Sequence, residues 1–296
     1  MLGIGLYFQF RDFACEQHEK IIISAIAITC AIQSLWVFSE FMGFDPYSML
    51  MGQHKKLDYL VPYGWFNVVS DEQMINGSLT NENWSGALIA LTFPALFYWR
   101  FYVFIPVSLL SLYLLKSAMP VTSAFVGICA YIAVKLFDMK KIKNIALVAS
   151  IFPALLVLIG PPKTGFFESG PRVWLWERIW SLVHWYDLII GKGVGFFAAV
   201  FPTKFLLHAV VPFRQMHNEY LEILFAFGVI GLAIFYYLYL QIYKTEKLHP
   251  IFYAIIAAAL FNSIGHFTFH VTSTALVGII AYSFLTKKEI DNGGFI

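Results

Sequence analysis

The chain has 296 residues, of which 59% are hydrophobic and 13% are charged, and its formal net charge is +2. Soluble domains carry about 25% charged residues, so this composition excludes an ordinary soluble enzyme and indicates a polytopic membrane protein. The small net charge and the lack of a long basic cluster argue against a nucleic-acid partner. The three cysteines, Cys15, Cys30 and Cys129, lack metal or redox spacing and are interpreted as free thiols.

Long apolar segments predict an all-α, polytopic membrane helical bundle of about eight spans, which forms a single membrane domain over residues 1–296. In chain order, the predicted spans are 21–39, 84–99, 101–115, 118–137, 144–160, 218–243, 251–268 and 270–286. The second and third are short for a bilayer crossing. The last two are nearly continuous, and Gly265, His266 and His270 lie near their junction, where we expect a tight turn or a broken helix.

The distribution of basic residues orients the bundle. With a cytoplasmic N-terminus, the inner segments hold ten of the 20 lysines and arginines, including the lysine cluster in 140–143, whereas the short outer loops hold only Lys116. The positive-inside rule therefore favours eight spans. It also places two long loops, 40–83 and 161–217, on the outer side of the membrane, with the lipid bilayer around the spans.

The second long loop carries an amphipathic pattern followed by a glycine-rich turn. From Arg172 to Ile190, apolar residues recur at helical spacing and predict a helix in the outer interface, with Arg172 and Arg178 facing water. The alternating glycines that follow, Gly191, Gly193 and Gly195, allow close approach of a ligand, and backbone N–H groups in such a turn can bind an anion. A guanidinium beside them can bind phosphate in bidentate fashion.

His217 opens the sixth predicted span, with Arg214 before it and Asn218 and Glu219 after it. A polar cluster at the mouth of a membrane helix indicates a functional site. A neutral imidazole there can accept a proton from an attacking hydroxyl. The structural alternative is an interfacial histidine that only caps a helix start.

Two further elements have structural and functional interpretations. The stretch Gly77 to Trp84, which contains Asn81-Glu82-Asn83, is typical of a turn followed by an N-cap before the second span. His266 and His270 are four residues apart, a spacing that can bind metal or haem on one helical face. No third ligand is evident, and the alternative is a pair of buried polar contacts.

Together these elements resemble the O-antigen ligase/O-antigen polymerase superfamily of bacterial envelope proteins. The matching residues occur in the family's order and near its spacing: Arg172, Trp176, Gly191-x-Gly193-x-Gly195, His217-Asn218-Glu219-Tyr220-Leu221, Gly228-x-x-Gly231 and, more weakly, Asn81-Glu82-Asn83. The resemblance runs from about residue 45 to the end of the chain. It implies a fold that resembles the C-type integral-membrane glycosyltransferases, in the bacterial inner (cytoplasmic) membrane with the active site on the periplasmic side.

The resemblance also implies a reaction. A glycan is transferred from an undecaprenyl-pyrophosphate-linked donor to a hydroxyl of a glycan or lipid A core acceptor, in O-antigen or surface polysaccharide assembly, without a metal or other cofactor. By the resemblance, His217 activates the acceptor hydroxyl and Arg172 holds the pyrophosphate. The expected substrate-binding residues are Arg178, Arg214, Lys116, Gly193, Gly195, Asn218, Asn81 and Asn83.

The chain departs from the family pattern in two places. Family members often carry a second arginine, after a serine, at the outer start of the span that follows the hairpin, where this chain has Lys116-Ser117-Ala118. Lys116 can supply charge but not a bidentate fork, so Arg178 or Arg214 is expected to compensate. Family members also usually carry more helices before the Asn-x-Asn element, whereas one candidate span precedes it here.

Three functional hypotheses remain open from the sequence. The first is the glycan-transferring enzyme, within which ligase, polymerase and protein oligosaccharyltransferase differ in their acceptor. The second is a non-catalytic carrier or binding subunit for lipid-linked glycan. The third is a transporter or a haem or metal membrane protein built on His266 and His270.

Overall fold

The computed structural model describes residues 2–13, 16–44, 46, 75, 77–79, 81–137, 171–199, 216–242, 249–266 and 268–286. These residues contain helices and connecting turns but no strand, which confirms the predicted all-α class for the part of the chain that is described. The α-helices are α1 (Leu2–Phe13), α2 (Glu16–Phe41), α3 (Glu82–Thr92), α4 (Ile105–Leu114), α5 (Ala118–Leu136), α6 (Pro171–Trp180), α7 (Asp187–Ile190), α8 (Glu219–Gln241), α9 (Pro250–Asn262) and α10 (Thr272–Thr286).

Three helical segments are long and apolar enough to cross a membrane, namely His18–Phe41, Ala118–Leu136 and Glu219–Gln241. Helices α9 and α10 are apolar but have only 13 and 15 residues. At 1.5 Å per residue they cover roughly 20 Å of a hydrocarbon layer that is about 30 Å thick. The chain is therefore a helical membrane protein, while the count of eight spans stays a prediction. The predicted span 144–160 lies outside the described residues.

Helices α3 and α4 form an antiparallel hairpin against α2. Ser117, which follows α4, donates from Oγ to Asn83 Oδ1 at 2.7 Å, so the end of α4 lies beside the start of α3. Between α2 and α4, the Ser34 hydroxyl donates to Ser108 Oγ at 2.9 Å, and Ser111 Oγ donates to the Ser34 carbonyl at 2.8 Å. These hydroxyls are fully buried, and each bond satisfies a polar group inside an apolar core.

Two short 3-10 helices, Phe93–Phe97 and Trp99–Phe104, replace the end of the predicted second span and the start of the third. Pro94 lies in the first turn of the first 3-10 helix and lacks the N–H that an α-helix would need there. Tyr98 then adopts an extended conformation, with φ −88° and ψ 123°, and redirects the chain. The prediction of two regular helices was wrong in this stretch, and the assignment of two separate membrane spans to it stays a prediction.

The predicted seventh and eighth spans are shorter than expected, because α9 ends at Asn262 and α10 begins at Thr272. Residues 263–266 and 268–271 form a non-helical connection, which we call the α9–α10 turn. The N–H groups of Gly265 and His266 donate to the Asn262 carbonyl at 3.2 Å and 3.0 Å and close the end of α9. The expectation of a break near these residues is confirmed.

The amphipathic helix predicted from Arg172 to Ile190 is interrupted after Trp180. Turns lead to α7, and at their end Asp187 Oδ2 accepts the backbone N–H of His184 at 2.9 Å. Aspartate favours such local side-chain-to-backbone bonds over continuation of a helix. The prediction of one continuous helix was therefore wrong, although its first part is helical.

The helical bundle has two opposite ends, and the described contacts assign helix termini to each of them. At the far end, Glu19 of α2 pairs with His249 before α9 at 3.0 Å. At the same end, Tyr7 of α1 hydrogen-bonds to Thr286 of α10 at 3.1 Å. The opposite end, which we call the site end, gathers the starts of α3, α5, α8 and α10 and the end of α9. The residues predicted to bind and react belong to the site end and to the loop that leads into α8.

Candidate functional site

His217 occupies a strained position immediately before α8. Its φ is +53°, in the left-handed region that residues other than glycine rarely adopt. Such a conformation costs on the order of 1–3 kcal/mol and persists only where neighbours fix it. Asn218 is the N-cap of α8, and its Oδ1 accepts the N–H of Leu221 at 3.0 Å. Strained residues cluster at functional sites, which agrees with the role predicted for His217.

Helix α6 fixes the residue on the other side of His217. Trp176 Nε1 donates to the carbonyl of Met216 at 2.8 Å, and Met216 is fully buried. The same two residues belong to an apolar cluster through which α6 packs on α8. Arg172 lies in α6 one helical turn before Trp176. The structure therefore places the helix that carries Arg172 against the residue that precedes His217.

Lys116 shares the backbone geometry of His217. Its φ is +51°, and it directly precedes Ser117, the N-cap residue of α5. Within the described ranges, Lys116 and His217 are the two residues other than glycine with positive φ. The side chain of Lys116 is exposed at the site end, and that of Arg178 is exposed in the last turn of α6. Arg214 lies outside the described residues, so its role stays a prediction.

The glycine-rich turn packs on a break in α8. At Gly228 the backbone leaves the helical region, with φ +67° and ψ −165°, which frees carbonyl groups of the preceding turn. Lys192 and Gly193 donate their backbone N–H groups to the carbonyls of Phe225 at 2.7 Å and Ala226 at 2.9 Å. The turn therefore satisfies polar groups that the break would otherwise leave unpaired.

Glycine is required on both sides of this contact. A Cβ on Gly191 would lie 2.4 Å from a carbonyl oxygen of α8, and a Cβ on Gly228 would lie 2.2 Å from a carbonyl oxygen of α7. The N–H of Gly193 is donated within the protein, so in this conformation it is not a group that binds an anion. Participation of Gly193 and Gly195 in substrate binding stays a prediction.

The Asn-x-Asn element begins α3. Asn81 Oδ1 accepts the backbone N–H groups of Asn83 at 2.9 Å and Trp84 at 3.2 Å, which confirms the N-cap interpretation. Asn83 Oδ1 accepts the hydroxyl of Ser117, the residue after Lys116. The element thus joins the start of α3 to the start of α5, and direct contact of either asparagine with substrate stays a prediction.

The α9–α10 turn holds the starts of α5 and α8. The N–H of Glu219, two residues after His217, donates to the Ser263 carbonyl at 3.0 Å. At the end of α9, Asn262 Oδ1 accepts the hydroxyl of Ser123 from α5 at 3.2 Å. Because these bonds join segments far apart in sequence, the turn organises the site end around it.

A small cavity separates this turn from the start of α3. Its volume is about 10 Å³, and Asn83, Trp84, His266 and Thr268 contribute to its lining. This volume holds about one water molecule. The cavity therefore links the Asn-x-Asn element to the turn without offering space for a sugar.

Glu219 and Glu222 are residues of the site end that were not among the expected catalytic or substrate-binding residues. The Glu219 carboxylate is only 3% exposed, accepts the N–H of Phe269 at 2.6 Å and lies 3.1 Å from His270 Nδ1. His270 Nε2 lies 3.4 Å from Glu222. The hydrogen-bonded carboxylate of Glu219 raises the pKa of His270 above its ordinary value. The sequence does contain a signal for this pair, because two carboxylates lie one turn apart at the start of an apolar span.

His266 and His270 do not form the predicted helical pair. Both lie in the α9–α10 turn, so a spacing of four residues does not place them on one helical face, and that premise was wrong. His266 is buried and lines the small cavity, in line with the alternative of buried polar contacts, whereas His270 pairs with two glutamates and is exposed. No group of three metal-binding side chains occurs among the residues that the structure describes.

The fold and the site define a helical membrane protein with a polar, strained centre at one end of its bundle. A family model described as O-antigen ligase matches residues 75–236, which is more than half of the chain and includes both His217 and Arg172. The chain belongs to the O-antigen ligase family, which confirms the resemblance seen in the motifs. Family membership indicates a glycosyltransferase-like membrane enzyme that acts on lipid-linked glycans and polysaccharides. No curated protein and no solved structure matches the chain.

Proposed function

We propose that the protein transfers a glycan from undecaprenyl pyrophosphate to an acceptor hydroxyl on the periplasmic face of the bacterial inner membrane. The acceptor is a glycan or a lipid A core sugar, and the product belongs to O-antigen or surface polysaccharide. The observation that supports this most is the strained His217, fixed at φ +53° between an N-cap and a residue held by α6, the helix that carries Arg172.

The proposed chemistry divides between a base and a group of cations. The acceptor oxygen attacks the anomeric carbon, its proton passes to the His217 imidazole, and the bond from the anomeric carbon to the phosphate oxygen breaks. The undecaprenyl pyrophosphate leaves with the bonding electron pair. Arg172 stabilises the charge that develops on the phosphates, because a fixed cation in a water-poor site acts strongly on such charge. Lys116, Arg178 and Arg214 supply further positive charge.

The distribution of basic residues supports a periplasmic site end. In the structure, Lys20 lies near the start of α2, Arg100 in the second 3-10 helix and Lys135 in the last turn of α5, all toward the far end. The positive-inside rule assigns this far end to the cytoplasm. The site end then faces the periplasm, where lipid-linked glycans are presented in the proposed reaction.

The test is transfer by the purified protein from an undecaprenyl-pyrophosphate-linked glycan, read as release of undecaprenyl pyrophosphate and as product size. We expect His217→Ala to lower the rate about 10²–10⁴-fold, the usual contribution of a general base. We expect Arg172→Ala to lower it about 10²–10³-fold, the usual loss for one charge-stabilising donor. His184→Ala and Arg100→Ala change exposed residues of the same types elsewhere and should leave the rate unchanged.

The products distinguish the subclasses. A ladder of glycan lengths indicates a polymerase, one transfer per acceptor indicates a ligase, and transfer to a protein hydroxyl indicates an oligosaccharyltransferase. Donor binding that Arg172→Ala weakens, without turnover on any of these acceptors, would contradict the proposed enzyme and favour a non-catalytic carrier of lipid-linked glycan.

A further inference from the structure

The site end contains a titratable cluster that the proposed chemistry does not use. His270 lies between two carboxylates of α8, with Nδ1 at 3.1 Å from Glu219 and Nε2 at 3.4 Å from Glu222. Glu219 is almost completely buried, whereas the side chain of His270 is 40% exposed. The histidine can therefore exchange protons with solvent, and Glu219 depends on protein groups for its counter-charge.

Glu219 is also the residue that attaches the start of α8 to the α9–α10 turn. Its N–H donates to the Ser263 carbonyl at 3.0 Å, and its carboxylate accepts the N–H of Phe269 at 2.6 Å. The bond to His270 is the third contact with the same turn. Because Glu219 follows His217 by two residues, these contacts also restrain the backbone around the strained histidine.

The charge state of His270 decides how well this attachment holds. Glu219 and Glu222 are three residues apart on one helix, so their carboxylates are neighbours and repel each other. A buried carboxylate without a compensating charge is costly. An imidazolium between the two compensates both, whereas a neutral imidazole can donate only one hydrogen bond and carries no charge.

We propose that His270 is a positioning residue for the transfer reaction: as an imidazolium it bridges Glu219 and Glu222 and thereby holds the start of α8 in the geometry that aims His217. This inference rests on the proposed function for its effect on rate, and on the contacts alone for its effect on structure.

The proposal has a defined pH dependence. Among the described residues, Glu219 and Glu222 are the charged groups that act on His270, and they raise its pKa in the folded protein. The stabilisation is therefore fully present below the ordinary histidine pKa and is lost as pH rises through the raised pKa. The rate of transfer therefore falls at high pH as His270 loses its proton, which gives the pH–rate profile an alkaline limb.

The experiment compares pH–rate profiles of the purified protein and three variants, with an undecaprenyl-pyrophosphate-linked glycan as donor. His270→Gln removes the charge and should lower kcat on the order of 100-fold, as for a misplaced catalytic group, with little change in KM and no alkaline limb. His270→Lys keeps a charge and should retain activity at alkaline pH where the wild type has lost it. His249→Gln removes a matched histidine–glutamate pair at the far end and should keep the wild-type profile.

A second readout separates this proposal from the proposed function. The thermal unfolding temperature in detergent should fall for the wild type as pH rises through the pKa of His270, and this fall should be absent in His270→Gln. If the wild type transfers no glycan but shows this difference, the proposed function fails and the structural bridge stands. If His270→Gln keeps the wild-type kcat and the same alkaline limb, or the same pH dependence of unfolding, the positioning proposal is overturned.

Discussion

The hydrogen bond from Trp176 to Met216 gives the sharpest test of how the site is held. Replacing Trp176 by phenylalanine keeps an aromatic ring in the cluster between α6 and α8 and removes the Nε1–H that donates at 2.8 Å. Met216 is fully buried, so water does not reach its carbonyl to replace the lost hydrogen bond. An unsatisfied buried carbonyl costs on the order of 1–3 kcal/mol.

This loss is comparable in size to the strain at the next residue. The left-handed conformation of His217 costs about 1–3 kcal/mol, so removing a contact of similar size lets the Met216–His217 backbone relax. A change of about 1.4 kcal/mol is a factor of ten in a population. We therefore expect Trp176→Phe to lower kcat roughly tenfold, with a smaller change in the KM of the lipid-linked donor.

The control is Trp180→Phe on the same helix, one turn further along. Trp180 Nε1 makes no hydrogen bond within the described residues, so this substitution removes an indole without removing a bond. Glycan transfer under saturating donor and thermal unfolding in detergent are measured for both variants. Equal kcat values for Trp176→Phe and Trp180→Phe would refute the argument that this bond positions His217.

Three further outcomes are expected. Gly228→Ala should lower the unfolding temperature more than Gly193→Ala. Both glycines have a positive φ, but only a Cβ at position 228 would meet backbone, at 2.2 Å from a carbonyl oxygen of α7. Equal losses of unfolding temperature would show that the contact with α7 is not tight. Asn81→Ala should destabilise the protein by about 0.5–2 kcal/mol through loss of the cap, and Asn81→Asp should restore most of it in the same unfolding assay. Treatment with a chelator should leave glycan transfer unchanged, and a loss that added Mg²⁺ restores would contradict the metal-independent reaction that the family resemblance implies.

The sequence predicted those parts of the site that depend on local rules. Asn81 stands in the stretch interpreted as an N-cap before an apolar run, and it caps α3 in the structure. At the start of α8 the cap is Asn218, and not His217 as in the structural alternative. The histidine and lysine that precede a cap residue were also chosen from the sequence. Both residues have a positive φ because the chain enters a helix there after a turn. Hydrophobic periodicity in the sequence does not reveal such a backbone conformation.

The remaining features depend on contacts between residues distant in sequence. The pairing of Glu219 with Phe269 and of Asn83 with Ser117 brings together segments that sequence patterns treat separately. Helix ends were misjudged for a local reason, since Pro94 lies inside an apolar run and its ending of the α-helix was not taken into account. The role of the glycine-rich turn could not be predicted either, because it depends on the break in α8 at Gly228, which sequence patterns do not show.

That turn has a consequence for the depth of the second loop. Ala226, the partner of Gly193, lies about two turns beyond the start of α8, which is about 10 Å along the helix axis at 1.5 Å per residue. Ile190 and Val194 beside it expose 72% and 79% of their surface, as lipid-facing side chains would. Irregular backbone at such depth is tolerated only where protein groups pair with it, as Lys192 and Gly193 do here. The glycine-rich turn and α7 therefore pack along the side of α8, beside its break at Gly228.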